Sequence, residues 1–185
     1  MSAAATVTPV WFTARAAGIT ALMLSSATVG AGVLLGARAL RGGGRPAILR
    51  AVHETCALAT IAAIAVHALA LVADPWLKTG LSNVLVPFAM PYRPLASALG
   101  QLAAAGFLIL GPTFYVRRWL GAARWRTAHR WIAAFWALAL LHGVTAGTDG
   151  ATTWYLAATL LVAAPVAVLL ALRWSGGVPR LGAQR

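Results

Sequence analysis

Five apolar runs dominate the chain, and polar positions gather almost entirely between them. The runs cover residues 16–37, 51–72, 97–115, 128–147 and 152–172. Each approaches the ~20 apolar residues that a helix needs to cross a bilayer. The fourth is the shortest, but Trp131, Phe135 and Trp136 make it strongly apolar, and the arginines of its first turn are long enough to snorkel to the interface. The pattern predicts an all-α, polytopic membrane helix bundle of five transmembrane helices, one domain over residues 1–185. The longest connector, 73–96, contains Pro75, Pro87, Pro91 and Pro94. It is too broken to span and is expected to lie on the outer surface and cap the bundle. Residues 42–44, three glycines followed by Arg45 and Pro46, read as a flexible connector with no phosphate-loop pattern.

The connectors set an orientation. Arg38, Arg41, Arg45 and Arg50 follow the first run. Arg117, Arg118, Arg124 and Arg126 follow the third, with Arg130 just inside the fourth, and Arg173, Arg180 and Arg185 follow the fifth. The opposite side holds only Arg15, Lys78 and Arg93, with Asp74 and Asp149. Twelve basic residues against three is a lopsided positive-inside count. It predicts an outside N-terminus and a cytoplasmic C-terminus in a bacterial plasma membrane.

Composition agrees. Hydrophobic residues make up 61% and charged residues 10%, against roughly a quarter charged in soluble domains, and the mean hydropathy is +0.80. A net charge of +12 would suggest nucleic acid on a soluble surface. Here the arginines flank apolar runs, so the partner they imply is lipid and no nucleic acid is expected. Cys56 is the single cysteine, which leaves no intramolecular disulfide or iron–sulfur framework and reads as a packing residue. The N-terminus has no basic leader region and does not resemble a cleaved signal peptide.

The candidate chemistry lies in four histidines, all within the apolar runs. His53 and His67 are 14 residues apart in the second run, and His129 and His142 are 13 apart in the fourth. An imidazole in hydrocarbon is costly and usually functional, and imidazole is a standard axial ligand of haem iron. The predicted topology makes these two helices parallel, with each pair separated along its axis by roughly 20 Å. His53 would face His129 near the cytoplasmic side, and His67 would face His142 near the outer side, with room for one planar macrocycle in each leaflet. A spacing of 14 returns to nearly the same helix face, whereas 13 ends about 140° away; a π-bulge, a kink or a large tilt is needed in the fourth helix. The competing readings are histidines that satisfy interhelical hydrogen bonds, or a proton relay, which the scarcity of intramembrane carboxylates besides Glu54 disfavours. A zinc centre needs ligands converging on one point, and these pairs lie too far apart.

The stretches RAVHETCALATIAAIAVH, VPFAMPYRPLASALG and WRTAHRWIAAFWALALLHGVTAGTD resemble the ferric-reductase-like transmembrane domain family. That family includes the membrane halves of NADPH oxidases and ferric reductases and the haem-binding membrane subunit of the bacterial methionine sulfoxide reductase system. The likeness is to its small stand-alone actinobacterial members and covers about residues 11–175. It implies two b-type haems, each held by two histidines in the pairing above. It also implies an aromatic ring near Phe135 between the haems, although an aromatic at such a position also serves packing. The FAD and NADPH domains of the oxidases have no counterpart here. A separate flavoprotein or membrane quinol is therefore the expected donor, and flavin or quinone enters only through a partner. Five predicted helices stand where the larger relatives have six.

Around the histidines, Arg50, Arg126 and Arg130 are candidates for haem propionates, since the guanidinium fork suits carboxylates; their other role is interfacial anchoring. Tyr92 and Arg93 are the equivalent outer candidates. Glu54 is placed either to orient the His53 imidazole or to pair with an arginine. Trp76, Trp119, Trp125, Trp154 and Trp174 fall near segment ends, as an interfacial belt requires. The leading expectation is a transmembrane electron conduit, the oxidoreductase component of a larger circuit, serving an external acceptor such as ferric iron, oxygen or a partner redox protein. A non-catalytic haem-binding sensor or structural subunit is the alternative, and a haem-free transporter or scaffold is a third.

Overall fold

A computed structural model of the chain describes residues 8–38 and 45–176. Residues 1–7, 39–44 and 177–185 lie outside it, and with them Arg41, the glycines at 42–44, Arg180 and Arg185. All regular structure among the described residues is helical: α1 (Pro9–Gly36), α2 (Arg45–Ala73), α3 (Leu81–Leu85), α4 (Pro94–Leu110), α5 (Thr113–Leu120), α6 (Ala122–His129), α7 (Ile132–Ala146) and α8 (Thr153–Trp174). Three of these, α1, α2 and α8, are long and apolar enough to cross a membrane. The bent pair of α4 and α5 makes a fourth if it is taken as one span.

Differences from the expected segments have local causes. α1 starts at Pro9 rather than residue 16, because the Thr8 hydroxyl accepts the Trp11 N–H at 3.1 Å and a proline occupies the first turn. Arg15 therefore lies inside the helix instead of before it. Its guanidinium forms a two-pronged ion pair with Asp149 and sits between the rings of Trp11 and Trp154, at 5.1 and 5.8 Å. The expected third segment breaks: α4 and α5 meet at 57° across Gly111 and Pro112, where proline has no N–H to continue the ladder.

The expected fourth segment breaks too, between α6 and α7, and this break bears on the histidine spacing. Trp131, Ala133 and Ala134 donate to carbonyls only three residues back, Ala128, Arg130 and Trp131, at 3.0, 3.3 and 2.9 Å. Such 3₁₀ winding turns about 120° per residue rather than 100°. Each tightened residue moves His142 toward the face of His129, which recovers part of the rotation that a spacing of 13 lacks. The expected devices are a π-bulge, a kink or a large tilt; the chain instead shows a tightened break, wound in the opposite sense to a π-bulge. Beyond it, α7 has 15 residues and is only about 22 Å long.

α1 is the central helix. Half of its apolar window is buried, against 11% for α2 and 22% for α8. Its inner face carries Ser25, Ser26, Thr28, Gly30 and Ala31. Small side chains admit close neighbours, and the three hydroxyls return to the carbonyls of Leu22 and Leu24. α2 packs along α1, α8 against α1, and α7 along α4. The core joins Val29 and Val33 of α1 to Phe107 of α4, Trp136 of α7 and Val166 of α8. α2 and α7 hardly touch each other, and the histidines project into the gap between them. The 73–96 connector straps one end: Gln101 donates to the carbonyls of Asn83 and Val84, and Arg93 donates to that of Thr145 at 2.6 Å.

Candidate functional site: two facing histidine pairs

The four histidines meet in two pairs across the gap. His53 faces His129 with ring centroids 6.2 Å apart and planes at 71°, and His67 faces His142 at 6.4 Å and 79°. The first pair lies at the end carrying Arg50, Arg126 and Arg130. The second lies at the end carrying the Arg15–Asp149 ion pair. No group of three or more metal-ligating side chains forms among the described residues, so the imidazoles meet only in twos.

Three of the rings are tied to a neighbouring helix. Nδ1 of His53 donates to the Thr28 carbonyl at 2.9 Å, Nδ1 of His67 to Ala14 at 2.7 Å, and Nδ1 of His142 to Ala96 at 2.8 Å. A carbonyl only accepts, so each Nδ1 carries the proton and each Nε2 keeps its lone pair. This is the tautomer that a metal requires from Nε2, held by the kind of backbone partner that metal-bound histidines use.

The backbone reaches the rings because glycine lies under them. In a helix the carbonyl of residue i points at the N–H of residue i+4, and the side chain of i+4 stands beside it. The acceptors Ala14, Thr28 and Ala96 are each followed four residues later by glycine: Gly18, Gly32 and Gly100. A Cβ there would come within 3.0 Å of His67, 3.1 Å of His53 and 2.6 Å of His142. Gly18 and Gly32 are 14 residues apart on α1, matching the spacing of His53 and His67 on the antiparallel α2. That shared period is present in the sequence, but the histidine spacing alone does not point to it.

His129 is the exception. Its Nδ1 is buried and has no hydrogen bond of acceptable geometry, although the Leu110 carbonyl lies on that side of the ring. The ring stacks instead on Trp125, 5.2 Å between centroids at 28°. Trp125, expected at the interface, lies in the site, with a buried and unpartnered Nε1.

The rings suit a bis-imidazole metal. With a metal–imidazole bond of about 2 Å and roughly 1.2 Å from the nitrogen to the ring centre, opposed ligands place their centroids about 6.3 Å apart. Around the His53–His129 pair opens a cavity of about 1220 Å³, above the roughly 300–1,000 Å³ typical of small-molecule sites. Its wall combines apolar residues such as Val33 and Phe107 with four arginines, Arg50, Arg126, Arg130 and Arg173. An apolar slot with a cationic rim fits a flat macrocycle with carboxylate tails, and the residues present therefore fit haem at this level. Arg173, expected only as a tail anchor, reaches back from α8 to the Val33 carbonyl at 3.4 Å, over Gly36.

The other candidates divide between the cavity and its surroundings. Arg50 and Arg130 line the cavity. Phe135, half-buried, packs its ring over Gly106 of α4 between the two histidine levels. Glu54 takes neither expected role, because it accepts from the Tyr115 hydroxyl at 2.9 Å while Thr28 orients His53. Tyr92 and Arg93 turn to the carbonyls of Ala146 and Thr145, so in this structure they close the end of α7. Cys56 is free and half-buried.

No protein-family model, curated protein or solved structure matches the chain.

Proposed function

We propose that the protein is a dihaem b-type membrane electron conduit of the ferric-reductase-like kind. One haem would be held by His53 and His129 and the other by His67 and His142. The observation that carries this reading is the spacing of the rings: two pairs, both at the separation of imidazoles opposed across one metal, three of the four in the Nε2-ligating tautomer. Hydrogen bonding alone accounts for Nδ1 of three rings and leaves every Nε2 without a role.

The topology belongs to the same reading. Counting the α4–α5 pair and the short α6–α7 pair as spans gives five crossings, and the arginine count sets the His53–His129 end in the cytoplasm of a bacterial plasma membrane. When bound, haem supplies one-electron redox chemistry at each level. The chain's own residues do the rest. Thr28, Ala14 and Ala96 hold the imidazole rings in orientation. Arg50, Arg126, Arg130 and Arg173 offset carboxylate charge at the cavity rim, and Val33, Phe107 and Phe135 keep water from the space between the levels. With the interior negative, an electron moving outward gains about 2.3 kcal/mol per 100 mV for a full crossing. The donor would be a flavoprotein or quinol, and the acceptor ferric iron, oxygen or a partner redox protein.

A reduced-minus-oxidised spectrum of purified protein tests the cofactor, with b-type bands and two haems per chain expected; their absence after expression with ample haem would end the proposal. In proteoliposomes, a reductant trapped on the arginine-rich side should reduce an acceptor on the other side. Undiminished transfer in His67→Ala would refute the relay.

A further inference from the structure

At the arginine-rich end the chain leaves α4 through a 57° bend, runs along α5, and turns at Gly121 into α6. That turn needs glycine, because its φ is +80°. α5 divides lengthwise: helical spacing sets Phe114, Arg117 and Arg118 on one side and Tyr115, Val116, Trp119 and Leu120 on the other. Where α5 meets α6, a cleft of about 390 Å³ opens, lined by Tyr115, Arg117, Arg118, Gly121 and Ala122. Arg117 lies over the Phe114 ring at 3.8 Å and donates one N–H to the Phe114 carbonyl. Arg118 lies over the Trp119 ring at 4.6 Å. Stacking on a ring leaves the N–H edge of a guanidinium available to oxygen. No carboxylate side chain of the protein neutralises these two charges. The chain has three acidic side chains; Asp74 and Asp149 lie at the opposite end, and Glu54 accepts from the Tyr115 hydroxyl.

Resting on the topology reading, which sets this end at the cytoplasmic headgroup layer, we propose that the α5–α6 cleft binds the phosphate of an anionic phospholipid from the inner leaflet. Arg117 and Arg118 supply the donors that a phosphate diester accepts. Trp119 and Leu120, exposed beside the cleft, suit the glycerol and acyl region that follows the phosphate. A phosphate ion dissolved in the cytoplasm has no such part. Net charge separates the lipids: a choline headgroup brings a cation toward the arginines, whereas an acidic headgroup does not. Tyr115 lines both this cleft and the cavity around His53 and His129, so the lipid would sit against the outer wall of that cavity.

The test is native mass spectrometry of the purified full-length protein, titrated in detergent with short-chain phosphatidylglycerol or phosphatidylcholine. One phosphatidylglycerol should bind about tenfold more tightly than phosphatidylcholine. Arg117→Gln/Arg118→Gln should weaken that binding about thirtyfold, and Arg118→Gln alone about fivefold, the scale set by each arginine at an anionic surface. Arg38→Gln/Arg45→Gln removes the same charge elsewhere at the same end and should bind as wild type. Equal weakening in the two double variants, or equal binding of the two lipids, overturns the inference. Displacement of phosphatidylglycerol by equimolar inorganic phosphate also overturns it, since that marks an ion site. Labelling of Ala123→Cys by an impermeant maleimide from outside intact cells would reverse the topology reading and with it the inner-leaflet assignment. The same spectra report haem by mass: loss of the lipid with both haems present ends this inference alone, and a haem-free protein that keeps its lipid ends only the dihaem reading.

Discussion

At the end marked by Asp149, His67 and His142 are each tied through Nδ1 to a carbonyl of the helix behind, with a glycine under each ring. At the arginine-rich end, His53 is tied in the same way, while His129 leans on Trp125 and opens onto a large cavity. The ring separations differ by only 0.2 Å between the ends. Equal distances therefore conceal unequal restraint. The separation of the rings is set by which helices pack together, and their restraint is set by single residues beneath each one.

The largest way to break the comparison is to remove ligands. On the dihaem reading, His142→Ala and His129→Ala should each lower haem content by about half. Added imidazole should restore His129→Ala far better than His142→Ala, because only the former opens directly into the cavity. Equal rescue, read by haem stoichiometry, would show that the ends do not differ. Next in size is charge. Asp149→Asn leaves the Arg15 guanidinium unpaired within α1 and should cost about 2–3 kcal/mol in detergent thermal unfolding, whereas Arg130→Gln, exposed at the cavity rim, should cost less than about 0.5 kcal/mol. Smaller again are the notches. Gly100→Ala, where a Cβ would lie 2.6 Å from His142, should destabilise by about 1–3 kcal/mol and shift the haem spectrum. Gly18→Ala and Gly32→Ala, with contacts of 3.0 and 3.1 Å, should do less. Between the levels, Ser26→Ala takes the acceptor from the Trp136 indole N–H, 3.0 Å away, for about 1 kcal/mol.

The paired histidines are legible without any fold, because an apolar run with an imidazole at each end is rare and the helical rise converts spacing into depth. The breaks near Pro112 and between His129 and Ile132 are harder to see. Hydropathy averages over a window and passes smoothly across a turn whose residues are as apolar as their neighbours. Trp125 and Arg173 are misread for a related reason: both lie at segment ends, where an anchor and a site residue have the same sequence neighbours.

Apolar periodicity, arginine placement and the 14- and 13-residue intervals belong to the sequence itself, since they follow from the chain's chemistry and the rise of a helix. Which rings receive a backbone carbonyl was decided only by tertiary structure. A carbonyl's access to a ring depends on the side chain that stands beside it on its own helix. Glycine at 18, 32 and 100 leaves the carbonyls of Ala14, Thr28 and Ala96 open to a ring. The ring that uses each carbonyl comes from a helix far along the chain, so no local pattern records the pairing.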